Sequence, residues 1–172
     1  MVVPRSLVFN WEQEAKRFTP RLRILVHGGP DRRRSTEHLE EYDLIITTYG
    51  TLRRDVAMLR EMEFDYAILD EAQAIKNAGT EGAKAARLMR ARHRLAMTGT
   101  PIENRLAELW LLLEFLNPGM LGKASVFGSL IRRLDSPGNT EEREEARTLL
   151  ARAVRPYILR RTKGQVAPEL PE

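Results

Sequence analysis

The chain has 172 residues, enough for one domain with its own core, and its 30% charged and 42% hydrophobic residues exclude a disordered segment. Its 28 Lys and Arg against 24 Asp and Glu leave a net charge of only +4, too mild to argue nucleic-acid binding by itself. With no cysteine there is no disulfide framework and no thiolate metal site, and no apolar run approaches membrane-spanning length, so a cytoplasmic protein is expected.

Val2-Val3 reads as the tail of a strand, and Leu7, Trp11, Ala15 and Phe18 then recur at helical spacing, predicting one buried helix face. Leu22 to His27 is a strand closed by the breaker Gly28-Gly29-Pro30. A short helix over Thr36 to Glu41 leads into the strand Leu44 to Thr48, and Leu52, Val56 and Leu59 mark the next helix. Tyr66-Ala67-Ile68-Leu69 is a strand running straight into Asp70-Glu71. Thr80 can cap a helix whose Ala85, Leu88 and Met89 share a face, and Arg94 to Met97 is a further strand ending in Thr98-Gly99-Thr100-Pro101. This β-α-β-α order predicts a parallel sheet flanked by helices.

Beyond Pro101 the pattern is helical. Leu109, Leu112, Leu113 and Leu116 follow one face until Asn117-Pro118-Gly119, and Val126 to Leu134 is a further helix. Asn139 and Glu142 have capping-box spacing for a helix lined by Ala146, Leu149, Leu150, Ala153 and Val154. Val166 to Glu172 reads as an extended tail.

The chemistry concentrates at Asp70-Glu71. Two acids at the carboxyl edge of a parallel strand stand where open α/β sheets bind ligands. They suit a magnesium-dependent phosphoryl reaction, with one carboxylate helping to hold the metal and the next handling water. Consecutive parallel strands end on one edge, so the hydroxyls of Thr98 and Thr100, beside the small Gly99, are expected close to the acids. Arginine clusters at 32–34, 53–54, 132–133 and 160–161 suit phosphate forks, or equally a solvated surface. Trp11 and Trp110 are expected in the core. His27, His38 and His93 lack metal-ligand spacing and are expected on the surface or in loops. Arg87, Arg90, Arg92 and Arg94 are expected to solvate the back of the domain.

Asp70-Glu71-Ala72-Gln73-Ala74-Ile75-Lys76-Asn77 resembles the second motif of Swi/Snf-like DNA translocases, within the superfamily-two helicases. Thr98 to Asn104, with Glu108-Leu109-Trp110 and Phe115 to Pro118, resembles their third motif. Val3 to Leu7 with Asn10-Trp11 is similar to motif Ia, and Ile46 to Gly50 to motif Ib. Pro156 to Lys163 is similar to the segment joining the two lobes. The resemblance covers nearly the whole chain in order. It implies an α/β, RecA-like parallel sheet flanked by helices, N-terminally truncated and with a C-terminal helical extension. The implied layout is a partial first lobe over 1–117, the extension over 118–163, and a linker over 164–172 towards an absent second lobe.

Roles follow from the resemblance. Asp70 would hold magnesium through water, and Glu71 would orient or deprotonate the attacking water. Gln73, where many relatives carry His, would report the ATP terminal phosphate to Thr98, Gly99 and Thr100. Arg5, Thr48, Tyr49 and, more weakly, Lys76 would meet the phosphates of double-stranded DNA, contacts that position without specifying bases. Arg160, Arg161 and Lys163 would brace the lobe junction. The implied function is a DNA-dependent ATPase that remodels complexes of DNA with a protein target the sequence does not name. No segment matches the Gly-x-x-x-x-Gly-Lys-Ser/Thr phosphate loop. The family pattern would place that loop before Met1 and the second lobe after Glu172, so the chain alone is expected to be inactive. A non-catalytic DNA- or protein-binding module and a piece of a strand-separating helicase stay open as alternatives.

Overall fold

The computed structural model describes residues 1–77, 79–99, 106–123, 125–129, 140–161 and 165. The chain divides into two compact units, Met1–Phe127 and Gly128–Glu172. The first holds a five-stranded sheet built from β1 (Val2–Val3), β2 (Ile24–His27), β3 (Leu44–Thr48), β4 (Glu63–Leu69) and β5 (Arg90–Ala96). The strand order is β2-β3-β1-β4-β5, and every pairing is parallel. Val2 lies opposite Thr47 on one side and Leu69 on the other, so β1 is the centre of the sheet. Both its residues are fully buried, as a central parallel strand covered on two faces requires.

The connecting helices are α1 (Val8–Phe18), α2 (Thr36–Glu40), α3 (Tyr49–Leu59), α4 (Glu81–Leu88) and α5 (Leu106–Leu116). Side-chain caps set the starts of three of them: Ser35 accepts from the His38 N–H, Thr48 from Thr51 and Thr80 from Ala83. The core gathers Val2, Leu39, Leu52, Leu59, Ala67, Leu69, Ile75, Met89 and Phe115.

Several details differ from the sequence expectation. On α1 no residue is fully buried and Phe18 is 69% exposed, because the helix lies over β2 and β3 at the sheet's margin. Ala85 and Met89 are buried as expected, but Leu88 between them faces outward. Strands β4 and β5 start earlier than their apolar runs, at Glu63 and Arg90, where polar ends still pair in the ladder. Arg94 does not solvate the back of the domain: it donates to the carbonyls of Phe115 (2.8 Å) and Met89 (2.7 Å), tying β5 to the end of α5. Burial there lowers its pKa from the ordinary value.

The first compact unit extends through Phe127. The Phe127 ring lies 6.4 Å from that of Trp110 on α5, which ties the intervening segment to the first unit. In the second unit, α6 (Thr140–Val154) is followed by the 3-10 turn Arg155–Tyr157. Leu150 and Val154 are buried on α6, whereas Leu149 is exposed. Asn139 and the residues expected as an extended tail lie outside the described residues, apart from the isolated Gln165 before them.

Candidate active site and adjoining groove

The parallel ladder runs past β4 and β5 into the acid motif. The Asp70 N–H donates to the Val2 carbonyl (2.9 Å), Met97 to Leu69 (2.8 Å) and Ala72 to Met97 (2.8 Å). Three strand ends are thereby fixed against one another. Glu71 then adopts φ 47°, ψ 53°, and is the one non-glycine residue with positive φ among the described residues. Such a conformation costs about 1–3 kcal/mol and persists where the surroundings over-determine it. Here they do: the next turn, Ala72–Ile75, buries Ala72 and Ile75 in the core.

The side chains form a relay across two strand ends. Thr98 Oγ1 donates to Gln73 Oε1 (2.7 Å), and Gln73 Nε2 donates to Glu71 Oε2 (2.6 Å). Asp70 accepts from the Glu71 N–H at Oδ1 (2.9 Å) and from the Trp11 indole at Oδ2 (2.6 Å). The Tyr49 hydroxyl donates to the Asp70 carbonyl (2.7 Å). Burial, with the Asp70 and Glu71 charges adding to it, pushes the Tyr49 phenol well above its ordinary value, so it stays a donor.

The structure therefore gathers Asp70, Glu71, Gln73 and Thr98. No group of three or more His, Cys, Asp or Glu fit to cage a metal occurs among the described residues. A single hard carboxylate, with acceptor capacity left on both oxygens, fits magnesium, which keeps water and phosphate oxygens as its other ligands.

Beside this site, at the carboxyl ends of β2 and β3, lies a groove of about 600 Å³ lined by Arg5, Glu12, Gly28, Thr48, Thr51 and Arg54 among others. A buried charge cluster sits behind it. Asp55 on α3 faces His27 Nε2 at 2.8 Å and takes a bidentate fork from Arg32 at 2.5 and 2.7 Å. The Asp55 and His27 side chains are 1% exposed and that of Arg32 4%. The Arg32 Nη1 also donates to the Gly29 carbonyl (2.7 Å), and Thr47 to that of His27 (2.8 Å). The turn after β2 is thus pinned to α3 and β3. The Arg32 fork holds the Asp55 carboxyl below its ordinary range despite burial.

Two expectations change here. His27 is buried and paired rather than in a surface role, because Asp55 compensates its polar ring. Arg32 is spent on Asp55 rather than offered to a phosphate or to solvent. Sequence reasoning missed Asp55 itself. Its signal was present: an acid on the same α3 stripe as Leu52 and Leu59 announces a buried partner.

Arg5, in the 3-10 turn Arg5–Leu7, and Thr48 both line the groove. Tyr49 is placed differently, its hydroxyl turned to Asp70. Lys76 and Gly99 are exposed, the first just beyond the turn Ala72–Ile75 and the second beyond β5. Arg160 and Arg161 are exposed in the second unit, and Thr100 and Lys163 lie outside the described residues. Trp11 is half-buried, and its indole serves Asp70 rather than only the core.

A parallel α/β sheet with an acid pair at its carboxyl edge, bonded to the neighbouring strand end, defines a nucleotide-handling architecture. The family model for the SNF2-related domain matches residues 1–172, and the chain belongs to that family. It is 37% identical over 177 residues to the putative ATP-dependent helicase/translocase YwqA of Bacillus subtilis, covering 100% of this chain and 19% of that protein. It is also 37% identical over 181 residues to the TATA-binding protein-associated factor MOT1 of Saccharomyces cerevisiae, covering 99% of this chain and 10% of that one. The chain thus spans a fifth or less of these relatives. Among solved structures it matches the Sulfolobus solfataricus SWI2/SNF2 ATPase core in complex with double-stranded DNA, with a TM-score of 0.82 and 43% identity, over 96% of this chain and 34% of that one. The fold is RecA-like, as the sequence implied.

Proposed function

We propose that the chain serves as part of the first lobe of a double-strand DNA-dependent ATPase, a translocase that remodels protein–DNA complexes. The observation that carries this is the relay Thr98–Gln73–Glu71, which bonds the acid pair to the end of the adjacent strand. Glu71 orients the attacking water and accepts its proton, and Gln73 passes the state of the terminal phosphate to Thr98. Asp70 is the carboxylate that takes magnesium through water. Magnesium, when bound, neutralises charge on the ATP phosphates. Arg5, Thr48 and Arg54 line the groove, where they meet backbone phosphates without reading sequence. The double-stranded DNA in the Sulfolobus complex and the partner named in the MOT1 description support a remodelling translocase. A second RecA-like lobe and a DNA-bound protein complete the proposed partners.

In the ATP-hydrolysing protein, Glu71→Gln lowers turnover by roughly 10²–10⁴-fold while nucleotide binding persists, the range for a general base. Single-turnover assays with a filter-binding control measure both, and unchanged turnover removes Glu71 from this role. The 172-residue chain by itself turns over ATP at background, with or without duplex DNA. Robust DNA-stimulated hydrolysis by the purified chain overturns that statement.

A further inference from the structure

Trp11 and Tyr49 stand on two helices that each face both the groove and the acid. On α1, Val8, Phe9 and Glu12 line the groove, while Trp11, one position from Glu12, donates its indole N–H to Asp70 Oδ2 at 2.6 Å. At the start of α3, its cap Thr48 and the helical Thr51 and Arg54 line the groove, while Tyr49 donates to the Asp70 carbonyl at 2.7 Å. Neither Trp11 nor Tyr49 lines the groove itself. The two donors grip the same residue, one at the carboxylate and one at the peptide. The indole on Oδ2 and the Glu71 N–H on Oδ1 fix the carboxylate plane and still leave acceptor capacity, while the Tyr49 bond holds the Asp70 peptide. Both stay protonated at neutral pH: an indole N–H does not titrate there, and the phenol is held protonated by its surroundings.

We infer that Trp11 and Tyr49 are positioning residues for Asp70, and that through them occupancy of the phosphate groove is felt at the metal-side carboxylate. The inference rests on the proposed reading of the groove as a DNA track. A phosphate backbone drawn to Arg5 and Arg54 loads α1 at Val8, Phe9 and Glu12 and α3 at its capped start. Each helix is stiff over one turn, so a displacement at the groove face is carried to the donor beside it. The Trp11–Asp70 bond is the more responsive of the two, since it ends on a side-chain oxygen rather than on ladder-fixed backbone.

The indole resonances of the 172-residue chain test this directly. The chain has two tryptophans, Trp11 and Trp110, so ¹⁵N labelling gives two indole signals, assigned with Trp11→Phe and Trp110→Phe. Short duplex DNA, with binding followed in parallel by fluorescence anisotropy, is expected to shift the Trp11 signal beyond its linewidth and leave Trp110 in place. Asp70→Ala is expected to move the Trp11 signal without DNA and to remove most of the DNA-induced shift. DNA that binds while the Trp11 signal stays fixed overturns the coupling and leaves the groove reading intact. A DNA shift that persists undiminished in Asp70→Ala means direct contact with DNA, and overturns it too. Absence of any DNA binding by anisotropy removes the groove reading, and the coupling with it.

Discussion

The acid site at the end of β4 and the charge cluster at the end of β2 occupy the same edge of one sheet, but they are built in opposite ways. The acid site is local: Asp70, Glu71 and Gln73 fall within four consecutive residues, and Thr98 follows one strand later. It is partly open, with a strained backbone at Glu71. The Asp55 cluster is non-local, joining His27, Arg32 and Asp55 across 28 positions, and its three side chains are shut away from water. The difference teaches a division of labour. The site proposed to handle water and phosphate keeps its carboxylates reachable and tolerates strain, whereas the support for a neighbouring loop places its charges where pairing is tight and permanent.

If that division holds, the largest effect on stability belongs to the cluster. Asp55→Ala leaves the Arg32 charge buried without its partner and is expected to destabilise the chain by about 3–5 kcal/mol. Urea unfolding monitored by circular dichroism measures this. A loss under 1 kcal/mol would put the cluster in the same class as an exposed ion pair and break the comparison.

Acid sharpens it further. The Arg32 fork holds the folded Asp55 carboxyl below its ordinary value of 3.8, so the unfolded chain binds more protons as acid is added. The stabilisation is complete above that value and is lost as pH falls through it towards the folded value. Asp43, held at about 2 by Arg23, has the same sign. Subtracting the profile of Asp55→Asn from that of the wild type isolates the Asp55 share. The expected difference shrinks as pH falls below about 4. A difference that stays constant down to pH 3 contradicts the assignment.

The groove in front of the cluster gives a smaller effect of another kind. On the proposed reading of the groove as a phosphate track, Arg5→Ala and Arg54→Ala are each expected to weaken duplex binding and to reduce the slope of log affinity against log salt by about 1, without changing sequence preference. Anisotropy titrations across a salt series read this. An unchanged slope for both variants takes the groove out of phosphate binding.

How much of this was legible beforehand follows the same line. The alternation of apolar runs and breakers exposed the parallel sheet, and contiguous motif residues exposed the acid site. What stayed hidden depended on residues far apart in sequence. His27 looked like a loop histidine because its partner stands on another helix, and Arg32 looked like one of three adjacent surface arginines. Trp11 looked like a core residue because nothing in a helical stripe says where an indole N–H points. Phe18 and Leu88 match apolar spacing yet face outward, since periodicity marks a face without saying how far the sheet beneath it extends.

The finest test separates strain from chemistry at Glu71. At an ordinary exposed position, Gly is less favourable than Ala, because the more flexible residue loses more freedom on folding. At φ 47° the preference reverses, since a Cβ in the left-handed region meets the following carbonyl at a cost of about 1–2 kcal/mol. Glu71→Gly and Glu71→Ala both delete the carboxylate and its bond to Gln73, so these losses cancel in their difference. Glu71→Gly is therefore expected to be the more stable of the two by about 1 kcal/mol, read from paired denaturation curves. Equal stability, or Ala ahead, means the turn relaxes without cost and that the acid stores no strain. A Gly advantage shows that the buried turn Ala72–Ile75 imposes this backbone even when the carboxylate is gone, so the strain at Glu71 is set by the packing that follows it.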